Sequence, residues 1–174
     1  MLQLIKRCPE YASGYKEYCQ ELYDNQVIYF RPTNPHSIDD DWFFRTKPWY
    51  DKKEQGSPEG QSISFHYWAI DDGKFIGEFQ LRTQFTEQVL TDIGSIGYAV
   101  RVSDQGKGYG TEILRRGLML AKEHGMEKVL LTINEENVAS IRVCEKLGGE
   151  WQDTIEAYNE AEGHHYLRRY WITL

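Results

Sequence analysis

Three glycines at alternate positions, Gly106, Gly108 and Gly110, stand in the stretch SDQGKGYGTEIL (residues 103–114), just ahead of a run with helical periodicity. Each costs up to about 1 kcal/mol relative to alanine inside a helix, so the spacing needs a compensating use. A glycine loop feeding a helix N-terminus makes an anion site. The first helical N–H groups have no partner within the helix, the helix dipole adds positive potential, and the missing Cβ atoms let a phosphate reach the backbone. Lys107 adds a point charge beside it. Two familiar phosphate loops do not fit. In the P-loop the Gly-Lys pair must be followed by Ser or Thr, and here it is followed by Gly108. The dinucleotide fingerprint needs its third glycine one residue later than Gly110.

Asn137 and Ser140 are spaced i, i+3, and Cys144 follows one turn later, which puts the three on one helix face. The structural alternatives are a helix cap for Asn137 and plain surface for Ser140. The Cys144 thiol is a candidate acid, whereas a nucleophilic cysteine wants a neighbouring base or cation. Candidate bases are Glu78 and Glu87, expected on the third strand, Asp92 at the start of the fourth, and His66 on the second. Alternation puts Glu78 and Gln80 on one strand face. The pair His164–His165 lies beside a turn with no carboxylate at ligand spacing; it reads as strand edge, and no metal site is assigned.

The elements that must position these groups follow from pattern. QLIKR reads as a short strand, and Tyr11, Tyr15, Tyr18 and Leu22 recur at helical spacing after Pro9. A second helical region, PHSIDDDWFFRTKPWYDKKE, is expected to break at Pro48, and QGSPEGQ is the most loop-like stretch. SISFHYWAI, the turn DDGK, FIGEFQLRTQF and IGSIGYAVRV form an antiparallel meander. After the glycines, Ile113, Leu114, Gly117, Leu118 and Ala121 share one helix face. KVLLTI is a buried strand, NVASIRVCEKLGG a helix, and two strands around NEAEG close the chain. The order is β-α-α-β-β-β-α-β-α-β-β, an α/β (α+β) class with a mixed, mostly antiparallel central sheet flanked by helices.

The chain has 174 residues, which suits one domain spanning 1–174. Apolar residues make up 40% and charged residues 27%, a globular composition with no apolar run of membrane-span length. The start, MLQLIKRCPEY, lacks the features of a signal peptide, and Cys8, Cys19 and Cys144 show no C-x-x-C spacing; both predict a reducing cytoplasm. A net charge of −7 argues against nucleic acid as partner, and nothing points to a membrane.

QGKGYG, residues 105–110, matches the form Q/R-x-x-G-x-G/A, and the N-x-x-S…E-K-L-G element runs from Asn137 to Gly148. In both, and in the element order, the chain resembles the GNAT superfamily of N-acetyltransferases across residues 96–149. The resemblance implies acetyl-CoA as co-substrate and a primary amine of a small molecule or peptide as acceptor. It implies that Tyr98, Val100 and Val102 lie along the pantetheine arm, with a backbone N–H near Val100 or Val102 polarising the thioester carbonyl. Gln105, Gly106, Lys107, Gly108, Tyr109, Gly110 and Thr111 would hold the pyrophosphate, and Asn137 and Ser140 would flank the thioester. Cys144 stands where the family commonly has a tyrosine, and Gly149 replaces a usual aromatic. That departure leaves the acid open among Cys144 and other groups, and the base among Glu78, Asp92 and the rest. Tyr15, Tyr23, Tyr29, Phe30, Trp42 and Trp49 would build a partly apolar or cation-accepting acceptor side. A CoA-binding sensor without turnover and transfer of another acyl group are the alternatives, and a homodimer is left open.

Overall fold

The computed structural model describes residues 1–27, 30, 33–56, 61–160 and 162–174; Tyr29 and positions 57–60 of the loop-like stretch lie outside them. Strand β1 (Gln3–Lys6) leads into helices α1 (Ala12–Asp24) and α2 (Trp42–Gln55). The meander β2 (Ser64–Asp71), β3 (Lys74–Arg82) and β4 (Ile96–Val100) follows. Next come α3 (Tyr109–Glu123), β5 (Lys128–Asn134), α4 (Val138–Lys146), β6 (Glu150–Asn159) and β7 (Gly163–Thr173). This is the element order expected from the sequence.

The strands form two sheets, ordered β1-β2-β3-β4 and β5-β7-β6, and every ladder is antiparallel. One mixed sheet was expected; the division falls between β4 and β5, the facing edges of the two sheets. They touch where Ser95 N donates to Leu130 O (2.6 Å) and Leu130 N to Ser95 Oγ (3.1 Å). A Cβ at Gly94 would stand 2.8 Å from Leu130 O, so this close approach requires glycine. Beyond the contact no ladder joins the strands, and both line the space between them.

Apolar groups cover both faces of the first sheet. Tyr15, Tyr18 and Leu22 of α1 and Trp42 and Phe43 of α2 pack on Trp68, Ile70 and Phe75. On the other face Phe79 and Leu81 meet Ile113 and Leu114 of α3 and Val129 and Leu131 of β5. Burying each such side chain contributes about 1.5–3 kcal/mol, so the two layers hold the facing edges of β4 and β5 in place.

Four local expectations change. Helix α2 runs through Pro48 instead of breaking there; the lost hydrogen bond falls in an exposed stretch, beside Phe44. Strand β3 stops at Arg82, so Glu87 is not on it. Fully buried Val89 draws the next segment into a single π-helical turn, Val89–Ile93, closed by Gly94 N to Val89 O (3.0 Å), and Asp92 sits in that turn ahead of β4. Strand β4 ends at Val100, and Val102 opens a short 3-10 turn.

Candidate active site

The glycine loop has the backbone that its sequence calls for. Gly106 and Gly108 have φ of 76° and 86°, in the left-handed region, and a Cβ on either would meet no protein atom within 4 Å. Helix α3 begins directly after Gly108, and Glu112 N bonds to Gly108 O (3.2 Å). The N–H groups of residues 109–111 are therefore left without helix partners.

A polar network fastens the loop to the fold. The Arg101 guanidinium pairs with Glu21 of α1, with Nε at 2.9 Å, and Glu21 also accepts from Ser103 N (3.0 Å) and Ser103 Oγ (3.1 Å). Asp104 accepts from Lys74 (2.6 Å) and Lys107 (2.7 Å). Burial alone would raise the Asp104 carboxyl, but hydrogen bonds from Lys107 and Lys74 outweigh it and hold it below its ordinary value. Lys107 is thus engaged within the loop rather than projecting as a free charge.

A cavity of roughly 640 Å³ opens between this loop, β4 and α4. Of the residues expected around a cofactor, Tyr98, Val100, Gln105, Gly106, Gly108, Gly110, Thr111, Asn137 and Ser140 line it. Val102, Lys107 and Tyr109 do not: Val102 packs against the α1 cluster, and the Tyr109 hydroxyl donates to Asp71 (2.8 Å).

A second cavity, of roughly 410 Å³, lies in the gap between β4 and β5. Gln80, Arg82, Asp92 and Gly97 stand on one side; Asn134, Asn159, Glu162 and His165 stand on the other. Arg82 Nη2 donates to Gln80 Oε1 (2.7 Å), and Nη1 to the carbonyls of Ile93 and Gly94 (3.3 Å each). Burial pulls the Arg82 guanidinium down to about 10. Phe30, Tyr98, Asn137 and Ser140 line both cavities. At that junction the Tyr98 and Ser140 hydroxyls are bonded at 3.0 Å, and Asn137 Oδ1 accepts Ser140 N at 3.2 Å as the cap of α4. Asn137 is both a helix cap and a wall of each cavity. Burial pushes the Tyr98 phenol up to about 12, so it is present as a neutral donor.

The expected acid and bases are scattered. Asp92 lines the smaller cavity and is exposed. Glu78 lines neither; it points under α1, where Tyr18 Oη donates to it (3.2 Å). Burial pushes Glu78 up to about 7, against the lowering influence of Tyr18 and Arg7. His66 is bonded to Gln80 (3.2 Å), and burial with nearby cations takes it down to about 3, so its ring is neutral. Cys144 is 0% exposed in the core, lines neither cavity, and is pushed up to about 12 by burial. A Cβ at Gly149 would lie 2.5 Å from Cys144 Sγ and 2.9 Å from Cys144 O, so the end of α4 leaves no room for a side chain there.

The aromatic side differs too. Tyr15 and Trp42 are core, Tyr23 and Trp49 are exposed, and of those described only Phe30 reaches the cavities. The cation held by the aromatic cluster is the chain's own Arg7, 3.4 Å from the Tyr50 ring centre and 5.1 Å from that of Trp42. Sequence reasoning passed over Arg82, Asn134, Asn159, Glu162 and His165, which meet only when β3, β5 and the β6–β7 turn assemble. The pattern Glu162-x-x-His165 was the signal available.

Among the described residues no group of three or more His, Cys, Asp or Glu side chains is placed to hold a metal ion. No helix among them is long and apolar enough to cross a membrane.

The family described as the acetyltransferase (GNAT) domain matches residues 10–150. An uncharacterized protein of Bacillus subtilis (strain 168), YkkB, is 29% identical over 120 residues, 67% of each chain. Among solved structures, RimL, a ribosomal L7/L12 alpha-N-protein acetyltransferase in complex with coenzyme A, superposes with a TM-score of 0.74 at 13% identity, covering 99% of this chain and 94% of that one. The microcin C7 self-immunity acetyltransferase MccE, in complex with acetyl-CoA and AMP, gives 0.75 at 13% identity, with coverage of 99% and 92%. Mycobacterium smegmatis RimJ, in complex with CoA-disulfide, gives 0.71 at 18%, with coverage of 99% and 81%.

Proposed function

The chain belongs to the GNAT acetyltransferase family, and on that premise we propose that it passes the acetyl group of acetyl-CoA directly to a primary amine while both substrates are bound. One observation carries this reading: two cavities meet at the Tyr98–Ser140 hydroxyl pair. The larger, under the glycine loop, takes the CoA portion. The loop from Gln105 to Thr111 holds the pyrophosphate on main-chain N–H groups, and the β4 backbone around Val100 runs beside the pantetheine arm. Asn137 and Ser140 flank the thioester. The smaller cavity takes the amine.

Direct transfer asks three things of the protein: a proton must leave the ammonium, the tetrahedral oxyanion needs a donor, and the departing thiolate benefits from a proton. The Tyr98 and Ser140 hydroxyls stand at the junction and supply the last. Cys144 contributes packing, since its thiol is enclosed and carries no adjacent base. The sensor alternative drew on the missing tyrosine at position 144, and the hydroxyl pair supplies what that tyrosine would have given. A small-molecule amine and a peptide N-terminus both fall within the reading, as does a cytoplasmic setting. RimL is named for a ribosomal protein, and MccE was solved with acetyl-CoA and AMP, so neighbours on this fold are associated with different partners.

The test incubates acetyl-CoA with glycinamide, L-serine, spermidine and the tripeptide Ser-Ala-Ala while free thiol is followed. Thiol release with at least one amine is expected, together with a higher melting temperature in CoA. A CoA-induced shift without release by any amine would make the protein a sensor; no shift at millimolar CoA removes the cofactor assignment.

A further inference from the structure

We propose that Glu162 and His165, at the β6–β7 turn, form the ammonium subsite of the smaller cavity, and that His165 Nε2 is the base that deprotonates the acceptor; this rests on the acetyl-transfer reading above. Both side chains are enclosed, 12% and 9% exposed, yet both line the cavity. His165 Nδ1 lies 2.9 Å from Gly163 O. A carbonyl oxygen only accepts, so Nδ1 carries a hydrogen and Nε2 is left as the nitrogen that can take up or release a proton. That nitrogen faces Glu162 Oε2 at 3.7 Å, beyond hydrogen-bond range. With the ring unprotonated at Nε2, two acceptors face each other in an enclosed wall and suit a guest with several N–H donors; a primary ammonium has three. An ammonium nitrogen at roughly 2.8–3.0 Å from each acceptor bridges them.

The carboxylate is held in advance. Asn134 Nδ2 donates to Glu162 Oε1 and Asn159 Nδ2 to Oε2, both at 2.7 Å. Asn159 Oδ1 accepts Glu162 N (2.9 Å), closing the turn, and Asn134 Oδ1 accepts Glu136 N (2.9 Å), tying that amide to the end of β5. The negative charge near the amine is thereby fixed before the substrate arrives.

In the step assigned here, His165 Nε2 accepts one proton from the bound ammonium, and the imidazolium that results stands beside Glu162 as its counter-ion. The freed nitrogen lone pair forms the C–N bond to the thioester carbonyl carbon. As the C–S bond breaks, its electron pair leaves on sulfur. The second proton leaves nitrogen and reaches sulfur through the Tyr98–Ser140 hydroxyls, and His165 later gives its proton to solvent. One ammonium and one thioester become one amide, one thiol and one proton.

The experiment measures kcat with whichever of the four amines named above the wild type acetylates fastest, in wild type, His165→Ala, His165→Asn and Glu162→Gln, with CoA thermal shift as the folding control. His165→Ala should lower kcat at least about 100-fold with CoA affinity within twofold, in the range expected for loss of a general base. Added free imidazole should return at least about a tenth of that loss, because the emptied site admits it. His165→Asn should lower kcat as much, and Glu162→Gln chiefly raise KM for the amine. A His165→Ala enzyme within threefold of wild-type kcat, or a loss that imidazole leaves untouched, overturns the base assignment alone. A wild type that binds CoA but acetylates none of the amines overturns the acetyl-transfer reading and this assignment with it.

Discussion

The two cavities are made of different materials. The larger joins a left-handed glycine loop and the start of α3 to side chains of α1, β4 and α4. The smaller is bounded by side chains from β3, the turn before β4, the end of β5 and the β6–β7 turn. In the proposed reading the glycine loop suits what every substrate of the reaction shares, the phosphates of the donor, and the side chains of the smaller cavity suit what varies, the acceptor. The first is altered through backbone access at the glycines, the second by replacing single residues.

The largest effect expected lies in neither cavity and tests whether Glu78 belongs to the packing layer under α1. Its folded pKa, raised to about 7, lies above its value in the unfolded chain. The proton is then held more tightly in the folded state, so the stability it confers is full below about pH 4.5 and is lost as pH climbs to about 7. Above pH 7 the buried carboxylate has forfeited on the order of 2–3 kcal/mol. Glu78→Gln, which still accepts from Tyr18, should be no more stable than wild type at pH 4.5 and clearly more stable at pH 8. Urea unfolding at the two pH values decides it, and a constant gap would mean that Glu78 binds its proton equally in the folded and unfolded chain.

Gly110→Val aims at the donor side. A Cβ there meets Tyr98, Val100 and Val143 at ordinary distances of 3.7–3.9 Å, so the fold tolerates it while the branch enters the cavity. The CoA Kd should rise at least tenfold, about 1.4 kcal/mol, by calorimetry. Gly108 is the poorer probe, because its φ of 86° makes any side chain strain the backbone as well. Cys144→Ala should cost about 1 kcal/mol of stability through the void it leaves and keep kcat within twofold. A tenfold fall in kcat would return the thiol to the reaction. The smallest effect belongs to Gly97→Ala, whose methyl would stand 3.7 Å from Phe30 and 3.9 Å from Arg82 Nη1. The amine's KM should rise a few-fold, roughly 1 kcal/mol or less, with CoA affinity unchanged; the reverse pattern would merge the two cavities into one.

The same contrast explains what could be read in advance. The conformation of the glycine loop was legible because backbone geometry selects glycine at Gly106 and Gly108 and because its parts lie within a few residues of one another. The element order was legible from periodicity and turn residues. The division of one sheet into two was not, since it depends on how Ser95 meets Leu130 across distant segments. Cys144 and Asn137 share a helix with Ser140, but a turn of nine residues cannot say which flank faces the core; burial decided it for the thiol. His165 looked like strand edge because the amides that hold its neighbour Glu162, Asn134 and Asn159, arrive from different strands. The cation-accepting aromatics were visible, but not that Arg7 of the same chain fills them.

Initial-rate kinetics with acetyl-CoA and the amine both varied test most directly that donor and acceptor occupy two cavities at once and react across their junction. Intersecting lines in double-reciprocal plots are predicted, with no acetylated residue detected by mass spectrometry after incubation with acetyl-CoA alone. Parallel lines together with an acetylated Cys144 would contradict the account, because they would place the acetyl group on the protein before the amine binds.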